Sequence, residues 1–354
     1  MFSAENNCTL KGVTGELQKP MRRALSLFAV GLVLGLGIAF IYGGAGLFHR
    51  LAAFPLSLMC LVLAMIFVGW NFNAGRMRLM LSGIGKPMRH GRSLATVMAS
   101  EFAISITPAG SGGLLSYVYL LKRHGAPGTA AAAMYAADIM IDMLVFSTVL
   151  MVATLALLIH PTQLHIGWEI AMLVGLILAI LLLAWIAVKH YRSVLLWIGR
   201  HLLNRRVSPA KRRTLTRGVL SFRKALHLIL SFSRFRLFAI LLCCLGHWLL
   251  RYSVLYVIIV GMDCNVYWAY SFLVQMLAFT VGHFTMLPGG SGGVELSFTA
   301  LLSPVLDHAT LGAVLLMWRF TTYYFYLIAG APVFFMFVGK ALLQVLGNGQ
   351  SKAS

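Results

Sequence analysis

Apolar residues in this chain run on for lengths that no soluble helix requires. Long stretches cover 24–47, 51–74, 126–158, 167–188, 237–260 and 309–338. Each reaches the roughly 20 residues that cross a hydrocarbon core about 30 Å thick. The pattern predicts an all-α, polytopic integral membrane protein with about six full transmembrane helices. Two more apolar segments, 93–121 and 269–305, are interrupted midway, the first by "TPAGSGG" at 107–113 and the second by "LPGGSGG" at 287–293. These strings repeat at an offset of 180 residues, and the same offset carries 126–158 onto 306–338. Each half, 24–158 and 167–338, therefore reads as two spans, a re-entrant hairpin and a third span.

Charge fixes how the halves are related. If 93–121 crossed the membrane once, Lys122 and Arg123 would face away from Arg76, Arg78, Lys86, Arg89 and Arg92. If it dips and returns, both groups stay on one side. With both interrupted segments dipping, 26 of the 29 Lys and Arg fall on one face, Arg50 falls on the other, and Arg251 and Arg319 lie within spans. Short basic loops stay in the cytoplasm. The expectation is thus two hairpins entering from opposite sides, an inverted repeat, with both termini cytoplasmic in the cell membrane. In such transporters the substrate sits near the midplane between broken helices.

A hydrophobic fraction of 60%, a charged fraction of 11% and a mean hydropathy of +0.85 agree with a membrane chain. The net charge of +20 would suit a nucleic-acid partner, but the cations flank the apolar runs and no large soluble region is present to form a binding domain. We expect none. The basic stretch 189–236 contains an amphipathic helix, with Leu215, Val219, Phe222, Leu226 and Ile229 on one face and Lys211, Arg212, Arg213, Arg217, Arg223 and Lys224 largely elsewhere. It is expected to lie on the anionic inner surface, as a topology anchor or a recruiter of anionic headgroups. The first 23 residues mix Glu5 and Glu16 with four cations, and the run that follows is too long for a signal-peptide core.

The interruptions are the first candidates for chemistry. In hydrocarbon an unpaired backbone amide costs several kcal/mol, so a Pro-Gly break persists only where protein, water or ligand satisfies it. Pro108 and Pro288 stop the first half-helices. Gly110, Gly112 and Gly113, and Gly289, Gly290, Gly292 and Gly293, free the chain to turn and present amides at the start of the second half-helices. Such N-termini attract anions, and Ser111 and Ser291 add hydroxyls at matching places. The plain alternative is a turn whose glycines permit close helix packing.

Ionisable residues within spans are the second: Glu101, Asp138, Asp142, Arg251, Glu295 and Arg319, with His247 and His283 as titratable neighbours. Asp138 and Asp142 share a helix face. The offset of 180 brings Asp138 within one residue of Arg319. Mutual ion pairing that locks the halves is one reading. The other gives Arg319 and Arg251 a lipid phosphate and leaves Glu295, Asp138 and Asp142 for a cationic headgroup or a coupling proton. Glu295 also suits a helix N-terminus on dipole grounds alone.

Five cysteines, Cys8, Cys60, Cys243, Cys244 and Cys264, and eleven histidines show no metal-ligand spacing. No metal or cofactor is expected. Gly289, Ser291 and Gly293 satisfy Gly-x-Ser-x-Gly, yet no histidine sits in a protease pattern and a hydrolase has no use for the twin at Ser111. No Walker lysine follows the glycines.

The string "TPAGSGGLLSYVYLLKRHG" (107–125), the acids of "ADIMIDML" (137–144), "LPGGSGGVE" (287–295) and "WRFTTYYFYLIAG" (318–330) together resemble the membrane region of lysylphosphatidylglycerol synthases and their stand-alone, flippase-like relatives. The family commonly has Pro-Gly-x-x-Gly-Glu at the first motif and Glu-Arg-x-x-Asp at the acidic pair; this chain has Leu115 and Asp138-Ile139 there. The resemblance implies movement of a phospholipid or related lipid between leaflets of a bacterial cytoplasmic membrane. It implies Tyr323 beside Arg319 as a further contact. The soluble domain that makes the aminoacyl lipid is not expected here, since nothing after Gly339 is long enough to hold it. We therefore expect no enzyme. A non-transporting partner of a separate lipid-modifying enzyme remains the alternative. Aminoacyl phosphatidylglycerol, another phospholipid, a polyprenyl phosphate and a hopanoid-type lipid all stay open as substrates.

Overall fold

A computed structural model describes residues 29–159 and 209–337, besides isolated positions. The expected span 167–188 apart from two isolated positions, all of 189–208 and both chain termini lie outside the described residues. Among the described residues every element is helical. Among the described residues four helices are long and apolar enough to cross a membrane, Leu56–Gly83, Gly128–Ala153, Arg234–Val260 and His308–Phe337, and a bent pair makes a fifth if it is one span. The chain is an all-α polytopic membrane protein.

The first expected span is that bent pair: α1 (Ala29–Gly43) meets α2 (Gly46–Ala53) at 98°. Gly44, at φ +53°, supplies the left-handed residue the corner needs. α3 (Leu56–Gly83) starts after Pro55 and continues nine residues past the end of its apolar run. Met77, Met80 and Leu81 keep one face buried over that extension. It stops at Gly85 (φ +76°), where Lys86 N–H donates to the Leu81 carbonyl. Arg76, assigned to a cytoplasmic loop by the apolar pattern, is consequently inside the protein, 6% exposed.

The hairpins follow. α4 (His90–Ile106), a 3₁₀ turn at Pro108–Gly110 and α5 (Gly112–Arg123) form the first, and α6 (Gly128–Ile159) is the next full span. After α7 (Pro209–Leu230) come α8 (Arg234–Val260), α9 (Trp268–Phe284), a second 3₁₀ turn at Pro288–Gly290, α10 (Gly293–Leu302) and α11, His308–Arg319, whose span continues to Phe337. Adding 180 to the bounds of α3, α4, the first turn, α5 and α6 reproduces α8, α9, the second turn, α10 and the α11 span to within three residues.

Repeat mates run antiparallel. The end of α8 at Gly261 packs on Phe54 and Leu58 before and within the start of α3, while Gly83 at the end of α3 packs on Phe232 ahead of α8. Arg123, just before α6, donates to the Phe337 carbonyl at the end of the α11 span. The two halves are therefore inverted with respect to each other. The same offset maps residues 29–53 onto 209–233, so α7 is the counterpart of the bent first span. α2 packs on α11 and α7 packs correspondingly on α6. α7 was expected on the membrane surface by its amphipathic pattern. Its apolar positions Leu226 and Ile229 are buried in the main core, leaving Arg217, Arg223 and Lys224 exposed.

A candidate functional cavity beside two broken helices

The two turns share one backbone recipe. Residues two and three of each are left-handed, Ala109 (φ 50°) and Gly110 (φ 69°) in the first, Gly289 (φ 63°) and Gly290 (φ 65°) in the second. Pro at the first position pre-sets φ and lacks the N–H that a helix start leaves unused. Gly110 N–H donates to Thr107 O and Ser111 N–H to Pro108 O; Gly290 N–H donates to Leu287 O and Ser291 N–H to Pro288 O. The tips pack against each other. Tyr323 ties them, its hydroxyl 3.4 Å from the Ser105 carbonyl and its ring against Gly289, where a Cβ would stand 2.3 Å from a ring carbon.

The next amide is capped differently in each half. Gly292 N–H donates to Glu295 Oε2 at 2.6 Å, whereas Gly112 N–H donates to Thr107 Oγ1 at 2.8 Å. At the offset of 180, Leu287 stands where Thr107 does and Leu115 where Glu295 does. The acid missing from the first motif is thus replaced by a hydroxyl on the opposite arm of its hairpin. Glu295 in turn binds Arg319, with both Nε and Nη2 at 2.6 Å from Oε1, and Arg319 Nη1 donates to the Gly289 carbonyl at 3.0 Å. Both side chains are essentially buried. α1 lies over the pair: a Cβ at Gly31 would stand 3.1 Å from Ser291 Oγ and one at Gly35 2.9 Å from Glu295 Oε1.

The break read from sequence as amides presented to an anion is therefore occupied by the chain's own anion. Among Pro288, Gly289, Gly290, Ser291, Gly292, Gly293, Glu295, Arg319 and Tyr323, the structure brings all into one compact lock. Ser291 is 1% exposed and its hydroxyl donates to Pro288 O at 3.0 Å. The first break, Pro108, Gly110, Ser111, Gly112 and Gly113, is more open: Ser111 is exposed, and Leu115 is 73% exposed against 1% for its mate Glu295.

The other candidates gather elsewhere. Asp138, Asp142 and Arg251 line a cavity of roughly 460 Å³ walled by α3, α4, α5, α6, α8 and α9. Arg76 reaches both acids, Nη1 at 2.5 Å from Asp142 Oδ1 and Nε at 3.2 Å from Asp138 Oδ1. Asp142 Oδ1 also accepts from Trp248 Nε1 at 2.9 Å and Cys244 Sγ at 3.2 Å. Asp138 Oδ2 accepts from the Tyr117 hydroxyl at 3.2 Å. Arg251 sits 3.5 Å from Glu101 Oε2 and over the faces of Tyr326 and Trp248, at 4.8 and 5.6 Å from their centroids. His247 Nδ1 is 2.9 Å from the Gly69 carbonyl and Nε2 3.3 Å from the Asn73 amide nitrogen, so the first donates, the second accepts and the ring is neutral. Ile139 and Met143 line the cavity and are exposed, as is His283 at the end of α9. The cavity therefore has a mouth on the side that faces lipid.

Arg76, Tyr117, Trp248 and Thr107 were not singled out from sequence. For Arg76 the available signal was the acidic pair itself, two carboxylates one turn apart in a span with no cation on their own helix. Nothing in the local sequence pointed to Thr107 or to the glycine face of α1.

The family model of the lysylphosphatidylglycerol synthase TM region matches residues 26–330. A UPF0104 membrane protein of Archaeoglobus fulgidus is 28% identical over 268 residues, covering 74% of this chain and 81% of the archaeal one.

Proposed function

Since the chain belongs to the lysylphosphatidylglycerol synthase transmembrane-region family, we propose that it is a translocase carrying a lipid headgroup between the leaflets of a cytoplasmic membrane. One observation carries this reading: a cavity of roughly 460 Å³, lined by the ionisable side chains Arg76, Glu101, Asp138, Asp142 and Arg251, opens beside the meeting point of two broken helices in an inverted repeat. Charges within a span are expensive, and they are retained where they pair or line a pathway. Here they do both. The headgroup enters past Ile139 and Met143, meets Arg251, Glu101 and the Arg76–Asp138–Asp142 cluster, and leaves its acyl chains in the bilayer. The Glu295–Arg319 lock holds the second hairpin rigid as the wall against which the headgroup moves. The protein supplies no covalent chemistry in this scheme, and its basic segments, both termini included, face the cytoplasm of a bacterial cell as the Lys and Arg asymmetry indicates.

The test is headgroup translocation in proteoliposomes carrying a panel of labelled lipids, with wild type compared with Arg251→Ala and with a surface variant, Arg223→Ala. Arg251→Ala is expected to lower the rate at least tenfold and Arg223→Ala to leave it unchanged. Wild-type protein that moves no lipid class would remove the reading.

A further inference from the structure

The cavity carries an unbalanced charge. Arg76 and Arg251 face Glu101, Asp138 and Asp142, and His247 is neutral by its hydrogen bonds, which leaves one excess negative charge in the middle of the membrane. A lone buried charge is disfavoured by several kcal/mol, so a positive charge must join the cluster for much of any working cycle. The two aspartates compete unequally for Arg76. Asp142 Oδ1 accepts from three donors, Arg76, Trp248 and Cys244. Asp138, 8% exposed, has Oδ1 within 3.2 Å of Arg76 Nε but without an aligned hydrogen bond, so that oxygen is buried and unsatisfied. A carboxylate oxygen that faces a guanidinium without accepting an aligned hydrogen bond from it is held less firmly in the charged form than Asp142, and Asp138 is therefore the acid of the pair that suits a proton. A metal ion would need several oxygen ligands around it, and among the described residues no group of three His, Cys, Asp or Glu side chains converges to hold one.

We infer that Asp138 is a proton-binding site, and that lipid movement through the cavity is coupled to one proton taken up and released there. The inference rests on the translocase reading and adds its energy source. The groups facing Asp138 define how the site responds. From α3 comes Arg76, which favours the carboxylate. From α5 comes the Tyr117 hydroxyl, which does the same by donating to Oδ2. Asp142, one turn along α6, and Glu101 on α4 favour the protonated form, and Tyr135 lines the same wall as a neutral phenol. On α8, Arg251 opposes proton uptake from farther off, while neutral Cys244 and His247 contribute dipoles. At the mouth on α9, exposed His283 turns Nδ1 to the Phe279 carbonyl at 2.6 Å.

Two readouts separate this inference from the function it rests on. The first is infrared titration of the full-length protein in nanodiscs, following the carbonyl stretch of a buried protonated carboxyl. The expected result is a band that titrates reversibly with pH, is lost in Asp138→Asn and persists in Asp142→Asn. Tyr117→Phe should move its midpoint upward by as much as about one pH unit, because a hydrogen bond favouring the carboxylate is gone. The second is the leaflet distribution of transported lipid in proteoliposomes under an imposed pH difference without sodium. One coupled proton shifts the steady-state ratio about tenfold per pH unit, and any movement left in Asp138→Asn should ignore the gradient. A titrating band without transport of any lipid would keep the proton site and discard the translocase. Transport without a titrating band, or with a ratio indifferent to the gradient in wild type, overturns the inference and leaves the translocase standing.

Discussion

Glu295 serves two partners at once, capping the Gly292 amide with one oxygen and holding Arg319 with the other. Removing either charge alone leaves its partner buried and unpaired, which costs about 3–5 kcal/mol. Glu295→Gln and Arg319→Met should each lower the thermal midpoint in detergent sharply, and the double variant should lose less than the sum of the two. Thr107→Val removes only a hydroxyl cap and should cost about 1 kcal/mol by the same measurement. Ala109 is the converse case, a side chain held at left-handed φ where the other half has Gly289. Strain of about 1 kcal/mol is relieved in Ala109→Gly, so a thermal midpoint unchanged or slightly raised is expected. The charged residues of the spans were legible one by one in the sequence because hydrocarbon makes each conspicuous. Their partners were not, since pairing depends on which helices become neighbours. Asp138 pairs with Arg76 and Arg319 with Glu295, and neither pairing follows from the near coincidence of Asp138 and Arg319 under the repeat.

At the scale of elements, α1 reaches the second break because Gly31 and Gly35, one turn apart, let its backbone approach Ser291 and Glu295. Gly35→Val places a methyl against Glu295 Oε1 and should cost about 1–3 kcal/mol by overpacking. The same substitution should expose a cysteine introduced at Ser291 to thiol reagents that do not reach it in the parent. α11 begins with an exposed cap, Asp307, which accepts from Thr310 N–H at 3.1 Å and lies 3.7 Å from Arg50. The hydrogen bonds with Thr310, aided by Arg50, hold its carboxyl below the usual carboxylate range. A depressed folded value means the cap contributes above the unfolded value, about pH 4, and is lost as the pH falls through the folded one. Fraying at 307–311, read by amide exchange, should appear below about pH 4 in the parent and at all pH values in Asp307→Ala. Helix positions were legible from apolar length and from the Pro-Gly strings. Helix ends were less so: α3 outruns its apolar stretch, running through Gly75 and ending only at Gly83, ahead of the left-handed Gly85. The bend between α1 and α2 was hidden because α2, with His49 and Arg50, falls across the short loop expected between the first two apolar runs.

For the whole molecule, the inverted repeat was legible because two signals agreed, a repeated motif and a one-sided distribution of cations. The antiparallel mates α3 and α8 give that inference its geometry. Less legible was the difference between the halves, which lies in two exchanged positions, Thr107 with Leu287 and Leu115 with Glu295. One hairpin is held by a buried ion pair under a covering helix, the other by a hydroxyl beneath an exposed Leu115. Amide exchange in nanodiscs should accordingly run faster at 107–113 than at 287–293. Equal topology with unequal locking thus gives the molecule one fixed jamb and one looser leaf.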